Sequence, residues 1–164
     1  METPQKGWFK ELRYVDFDTI AEPWNVYKLA DGSTLRVKLV LTNVLFDGDF
    51  GEAIEKAKTS KMGEMKLNIA IQTSQAASVR IPKNLRGSSS SPSGPEEGPP
   101  LLAQADIDFE IVSEKWNEYK LEHGVGLKIR HTLIRVDRAM KYDEQGIPRY
   151  NIEGSLLLRI VPPK

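Results

Sequence analysis

The sequence predicts an all-β protein. It should hold two small antiparallel β-barrel or sandwich units of about four strands each, related by a pseudo-two-fold, with one short helix or loop inserted in the first. Three observations lead there. Residues 15–36 (VDFDTIAEPWNVYKLADGSTLR) recur at 107–128 (IDFEIVSEKWNEYKLEHGVGLK) at a constant offset of 92, with 10 of 22 positions identical. Apolar residues alternate with polar ones at the period of a strand, not of a helix. Between the copies runs GSSSSPSGPEEGPP, residues 87–100, whose composition cannot bury a core.

The first unit is placed at residues 1–86. Leu12 to Ile20 alternates imperfectly and reads as one strand, ended by Pro23, which suits a strand end. Trp24 to Ala30 is a second short strand. Asp31-Gly32 is a hairpin signal, because a type I′ turn needs positive φ at both central residues. A long strand follows, with Leu35, Val37, Leu39 and Leu41 on one face and Arg36, Lys38, Val40 and Thr42 on the other. The insertion, about 47–64, opens with the turn Asp47-Gly48-Asp49 and contains EAIEKAKTSKM, a short helix or loop with little apolar support. The closing strand is expected from about Met65 to Ile81, with a bulge near Thr73 to Ala77. Its end, Val79-Arg80-Ile81, echoes Leu158-Arg159-Ile160.

The second unit, 101–164, repeats the scheme. His123-Gly124 stands where Asp31-Gly32 stood; histidine tolerates the left-handed region, so the same turn is expected. Leu127, Ile129, His131 and Leu133 form the inner face of the long strand, with His131 as the polar intrusion among core positions, expected to be satisfied there. A compact turn at 142–148 leads to a last strand, Tyr150 to Val161. The 14-residue joint spans roughly 20 Å, enough for two units to sit side by side. Meander order within each unit is the simplest arrangement, and four strands with one apolar face are marginal alone. The units are therefore expected to pack together, as in a fused homodimer.

Composition narrows the chemistry. The 164 residues carry 23 basic and 23 acidic groups and no cysteine. That excludes disulfides, thiolate catalysis and cysteine metal sites. A phosphate-binding protein would carry a basic excess, and neither half has one. No run of about 18 apolar residues suggests a membrane span, and the opening METPQKGWFKELR lacks the apolar core of a signal peptide. A cytoplasmic protein with no membrane partner is expected. No phosphate loop, nucleophile elbow or zinc-protease motif occurs, so no catalytic residue, cofactor or metal site is assigned.

The candidate partner-binding residues are Trp24, Tyr27 and Lys28 with Trp116, Tyr119 and Lys120, since Trp and Tyr dominate interface cores. The alternative is that these rings pack the contact between units, with a basic stem over tryptophan. Arg36, Lys38, Lys128 and Arg130 could form a basic track beside the aromatics, the pattern that binds single-stranded nucleic acid. Asp16, Asp18, Asp108 and Glu110 suit cross-strand ion pairs before a hard cation. Tyr27-Lys28-Leu29-Ala30-Asp31-Gly32 with Leu35 resembles the first motif of Sm-like RNA-binding barrels, and Val79-Arg80-Ile81 their second. Their mid-strand glycine would fall at Val37 or Lys38, however, and 41–46 lacks their Asp/Asn loop, so no family is assigned. The expected function is a non-enzymatic binding or assembly protein, mediating protein–protein association or self-association. A nucleic-acid-binding barrel is the alternative, and a ligand binder or enzyme using the inter-repeat cleft the second.

Overall fold

A computed structural model describes residues 12–58, 67–87 and 101–163. In chain order the elements are β1 (Leu12–Val15), β2 (Phe17–Ala21), β3 (Asn25–Leu29), β4 (Thr34–Asp47), α1 (Phe50–Lys58), β5 (Ile69–Arg80), β6 (Leu102–Gln104), β7 (Phe109–Ser113), β8 (Asn117–Leu121), β9 (Gly126–Tyr142) and β10 (Pro148–Val161). The expected tether lies outside the described residues from 88 on, as do residues 59–64 of the insertion and 65–66 at the expected start of the closing strand. The helix option for the insertion is met over 50–58, where Phe50 and Ile54 anchor one face and Asp49 accepts from the Glu52 amide at the first turn.

Among the described residues ten strands form two five-stranded antiparallel sheets that are not closed into a barrel. In the first, β4 is flanked by β5 on one side and by β1 and β3 on the other, and β7 lies beyond β3. In the second, β9 is flanked by β10 on one side and by β6 and β8 on the other, and β2 lies beyond β8. The sheets therefore do not follow the division of the chain at the joint. β2 is hydrogen-bonded to β8 of the second repeat, and β7 to β3 of the first. Phe17 stands opposite Leu121 and Asp18 opposite Lys120; 92 residues on, Phe109 stands opposite Leu29 and Glu110 opposite Lys28.

This corrects the expected meander, and the linking residues supply the reason. Glu22-Pro23-Trp24 and Glu114-Lys115-Trp116 contain no glycine, asparagine or aspartate to reverse the chain, and Pro23 holds Glu22 extended. The chain runs straight on, so the strand before each link enters the other sheet. The expected first strand is likewise split at Asp16: β1 stays on β4 and β2 leaves for β8.

Apolar residues of both sheets meet in two clusters. One joins Leu39, Leu41, Val44 and Phe46 to Tyr119, Leu121, Leu127 and Ile129, with Phe50 and Ile54 of α1 closing it. The other joins Tyr27, Leu29, Leu35 and Val37 to Ile107, Leu133 and Val136. Inward residues alternate along β4 and β9 as their sequences predict.

Three local expectations change. Only Gly32 has positive φ in the first hairpin, whereas His123 and Gly124 both do in the second, so the type I′ geometry belongs to the second alone. The closing strands match at offset 81, not 79: Val79 faces Leu35 as Ile160 faces Leu127, and Pro82 and Pro163 lie against Gly32 and Gly124. The bulge also moves to the other strand. Both ladders skip a residue of the long strand, Thr42 in β4 and Ile134 in β9, and the second shifts again between Pro148 and Tyr150.

Candidate functional site

Polar groups lock the two sheets at their centre. The Tyr27 hydroxyl donates to Glu114 Oε2 at 2.7 Å, and the Tyr119 hydroxyl donates to Glu22 Oε2 at 2.7 Å. Those glutamates also accept backbone N–H bonds, from Leu41 to Glu22 at 3.1 Å and from Leu133 to Glu114 at 3.5 Å. Asn25 Nδ2 donates to the His131 carbonyl, and Asn117 Nδ2 to the Leu39 carbonyl. Phe17 meets Tyr119 edge-on and Phe109 meets Tyr27 in the same way. Burial raises both tyrosine pKa values, with the neighbouring glutamate acting in the same direction. The phenols therefore stay protonated and remain donors. The lock is not fully symmetric: Asn25 Oδ1 accepts from the Lys115 amide, where the equivalent Pro23 has no N–H to give, Asn117 Nδ2 also donates to the Tyr119 hydroxyl, and Arg130 also donates to Glu114.

Each long hairpin rests on the opposite repeat, with different chemistry at the two ends. At Asp31, Oδ2 accepts from Arg138 at 2.9 Å and Tyr150 at 2.8 Å, while Oδ1 accepts from the Ser33 amide and hydroxyl. Burial opposes the charge, but the bonds from Ser33, Tyr150 and Arg138 outweigh it and hold the carboxyl below the usual range. Burial, with Asp31 alongside, pushes the Tyr150 phenol up to about 12. At the other end His123 meets Phe50, which stacks edge-on against Phe46. The inserted helix thus replaces an ion-pair lock with an apolar one.

The candidate residues divide accordingly. Tyr27 is 0% and Tyr119 1% exposed, so both rings serve the inter-sheet contact rather than the outer surface. Lys28 and Lys120 are exposed, and Trp24 and Trp116 half-buried. Arg36 lies over the Trp24 ring at 4.5 Å with Lys38 at 5.9 Å; Arg130 lies over Trp116 at 6.0 Å. On the second repeat the basic track is neutralised, Lys128 by Glu118 at 3.2 Å and Arg130 by Glu114 at 3.1 Å. On the first repeat Val26 replaces that acid, and Arg36 and Lys38 have no ion pair among the described residues. The strand acids Asp18 and Glu110 face Lys120 and Lys28 of the opposite repeat, not the basic residues of the long strands. His131 is buried as expected, but its Nδ1 has no hydrogen-bond partner, so it is not fully satisfied.

Sequence reasoning placed the two outer strands but missed their open edges. β5 pairs with β4 alone and β10 with β9 alone among the described residues, so the far edge of each sheet presents free backbone groups. The short edges, β2 and β7, are protected: five residues each, a register irregularity in each pairing, and an acid, Asp18 or Glu110. The long edges are less protected, although their ladders also shift register, once for β5 and twice for β10, and β10 carries Arg149, Glu153 and Arg159. β5 has 12 residues with no charge before Arg80 and no proline. β10 has 14, with no proline after its first residue. Residues 74–78 of β5 are exposed on both faces, and Leu157 and Leu158 of β10 are 50% and 46% exposed. The readable signal was there: an uncharged stretch, IQTSQAASV, in a closing strand that ends its sheet.

An open cleft of about 600 Å³ lies where β1 passes into β2, lined by Tyr14, Val15, Asp16, Phe17, Asp18 and Asn43. No group of three or more potential metal ligands occurs among the described residues. No helix among them is long and apolar enough to cross a membrane. Compared with known protein families, with curated proteins and with solved structures, the chain matches none.

Proposed function

We propose that this chain is a non-enzymatic assembly protein that joins other polypeptides through the outer strands β5 and β10. In this reading the two repeats are related by a pseudo-two-fold and descend from a homodimer whose first strands had exchanged. Equal registers at offset 92 and the paired Glu–Tyr–Asn locks support that origin. One observation carries the functional reading. Within one molecule the short edges have five residues each and carry an acid, while the long edges offer 12 and 14 residues, β5 uncharged from Ile69 to Val79 and β10 uncharged from Gly154 to Leu158. A long edge with an uncharged run is suited to adding a strand, with main-chain hydrogen bonds giving affinity and alternate side chains specificity.

The aromatic and basic residues take a supporting place in this reading. Tyr27 and Tyr119 hold the sheets together so that both outer strands are presented by one rigid body. Trp24 with Arg36 and Lys38 is the un-neutralised cationic patch, and it favours the nucleic-acid alternative on the first repeat only. Multi-angle light scattering from low to high micromolar concentration, with affinity capture from the native extract, tests the proposal. Association in either measurement is expected, lost when Gln75 and Ala76 of β5 and Leu157 of β10 are together replaced by lysine. A monomer that retains no protein would contradict it. Binding of single-stranded RNA that weakens with salt, in place of protein, would transfer the function to the Trp24 patch.

A further inference from the structure

We infer that β10 is the seat of a second copy of this chain, paired antiparallel through its own equivalent so that two second-repeat sheets become continuous. This rests on the assembly reading and names the occupant of one edge. The side chains of β10 are self-complementary. Glu153, Ser155, Leu157 and Arg159 lie on the outward face, because Leu156, Leu158 and Ile160 stand opposite His131, Ile129 and Leu127 on the inward one. An antiparallel pair about a two-fold axis at Leu156 sets residue 153 against residue 159 of the other copy, and 155 against 157. Glu153 of each chain then meets Arg159 of the other, twice per pair.

Within one chain these two charges cannot serve each other, since six residues of strand separate them by about 20 Å. Glu153 has Arg135 in register across β9, and Arg159 stands opposite Lys128, a like charge. Lys128 already has Glu118 at 3.2 Å, whereas Arg159 has no ion pair among the described residues, and an acid from a second copy would supply one. The same arrangement lays Leu157 beside Ser155 of the partner and covers Leu158, two leucines otherwise left about half exposed. β5 offers no such charge match. It contains no charged residue from Ile69 to Val79, so nothing on it selects one register or one partner.

Charge reversal with rescue tests this in the full chain by sedimentation velocity. Glu153→Arg and Arg159→Glu, each alone, should raise the concentration at which half the chains are paired by about tenfold or more. The double variant should restore pairing, because the opposite charges meet again only across two chains. Ala76→Lys on β5 should leave it unchanged. As a second measurement, mixed Ser155→Cys and Leu157→Cys chains should form a disulfide-linked pair faster than either alone, the native chain having no cysteine. Association that survives each single reversal, or that Ala76→Lys abolishes, overturns the inference and leaves the assembly reading standing. A chain monomeric at every concentration, yet capturing a different protein, also overturns it. No association of any kind removes both.

Discussion

At the scale of single residues, the polar groups between the sheets are matched, among the described residues, except at two buried atoms, Arg130 Nε and His131 Nδ1. Glu114 is buried to 3% exposure yet accepts from Tyr27, Arg130 and the Leu133 amide. A buried carboxylate with several donors stays charged at modest cost, whereas one stripped of donors does not. Of the two, His131 takes the place of Leu39 in the other repeat, Gly154 leaves room for its ring, and its Nδ1 stays orphaned. A Cβ at position 154 would collide with His131 Nε2, which ties that glycine to the histidine. Burial depresses the His131 pKa, with Glu114 partly opposing the shift. The unfolded chain therefore takes up a proton first as pH falls. Stability contributed by the neutral ring is present above about 6.5 and is lost as pH falls from there through the folded value. Denaturant unfolding followed from pH 8 to 5 should show this loss. His131→Leu should flatten the profile in that window and raise stability at pH 5; an unchanged profile would place the acid sensitivity elsewhere. The Asp31 lock titrates lower, since its carboxyl is held below the ordinary aspartate value.

At the scale of elements, the alternation of Leu35 to Leu41 and Leu127 to Leu133 made both long strands and their buried faces readable. So were the Asp-Gly and His-Gly reversals and the short helix after Asp49. Partner choice was not readable by alternation. Period two reports which face a residue takes, never which strand lies beside it. Because the repeats share their sequences, pairing β2 with β3 or with β8 offers nearly the same side chains. Only the links separate the two outcomes, and their lack of turn residues was the available signal. The exchange predicts a coupling that a meander would not. Reversing Asp18 to lysine should destabilise by about 0.2–1 kcal/mol, and Lys120→Asp should restore most of it. Lys28→Asp should not, because Lys28 faces Glu110 instead. A double-mutant cycle in urea checks this. Coupling of residue 18 to residue 28, in place of 120, would return the chain to two separate meanders.

At the scale of the whole molecule, the crossed pairings of β2 with β8 and β7 with β3 tie both halves of the chain into two shared sheets. Two five-stranded sheets share two apolar clusters, each drawing residues from both repeats, so neither repeat holds a complete core. The functional consequence was the part least legible in the sequence. Trp24 and Trp116, with their tyrosines, carry the composition of an interface, but most of that interface is internal. The outer surface that remains is backbone, and backbone is invisible to residue type. A balanced charge of 23 against 23 gives such a body no long-range pull toward phosphate polymers. Amide hydrogen exchange, resolved by residue and measured at two protein concentrations, addresses the fold and its free edges together. The account predicts that β2 and β7 are protected at the same level as β8 and β3. It also predicts that outward-facing amides of β10 exchange quickly in dilute protein and slow when it is concentrated. Fast exchange in β2 and β7, or slow exchange along β10 that ignores concentration, would contradict it.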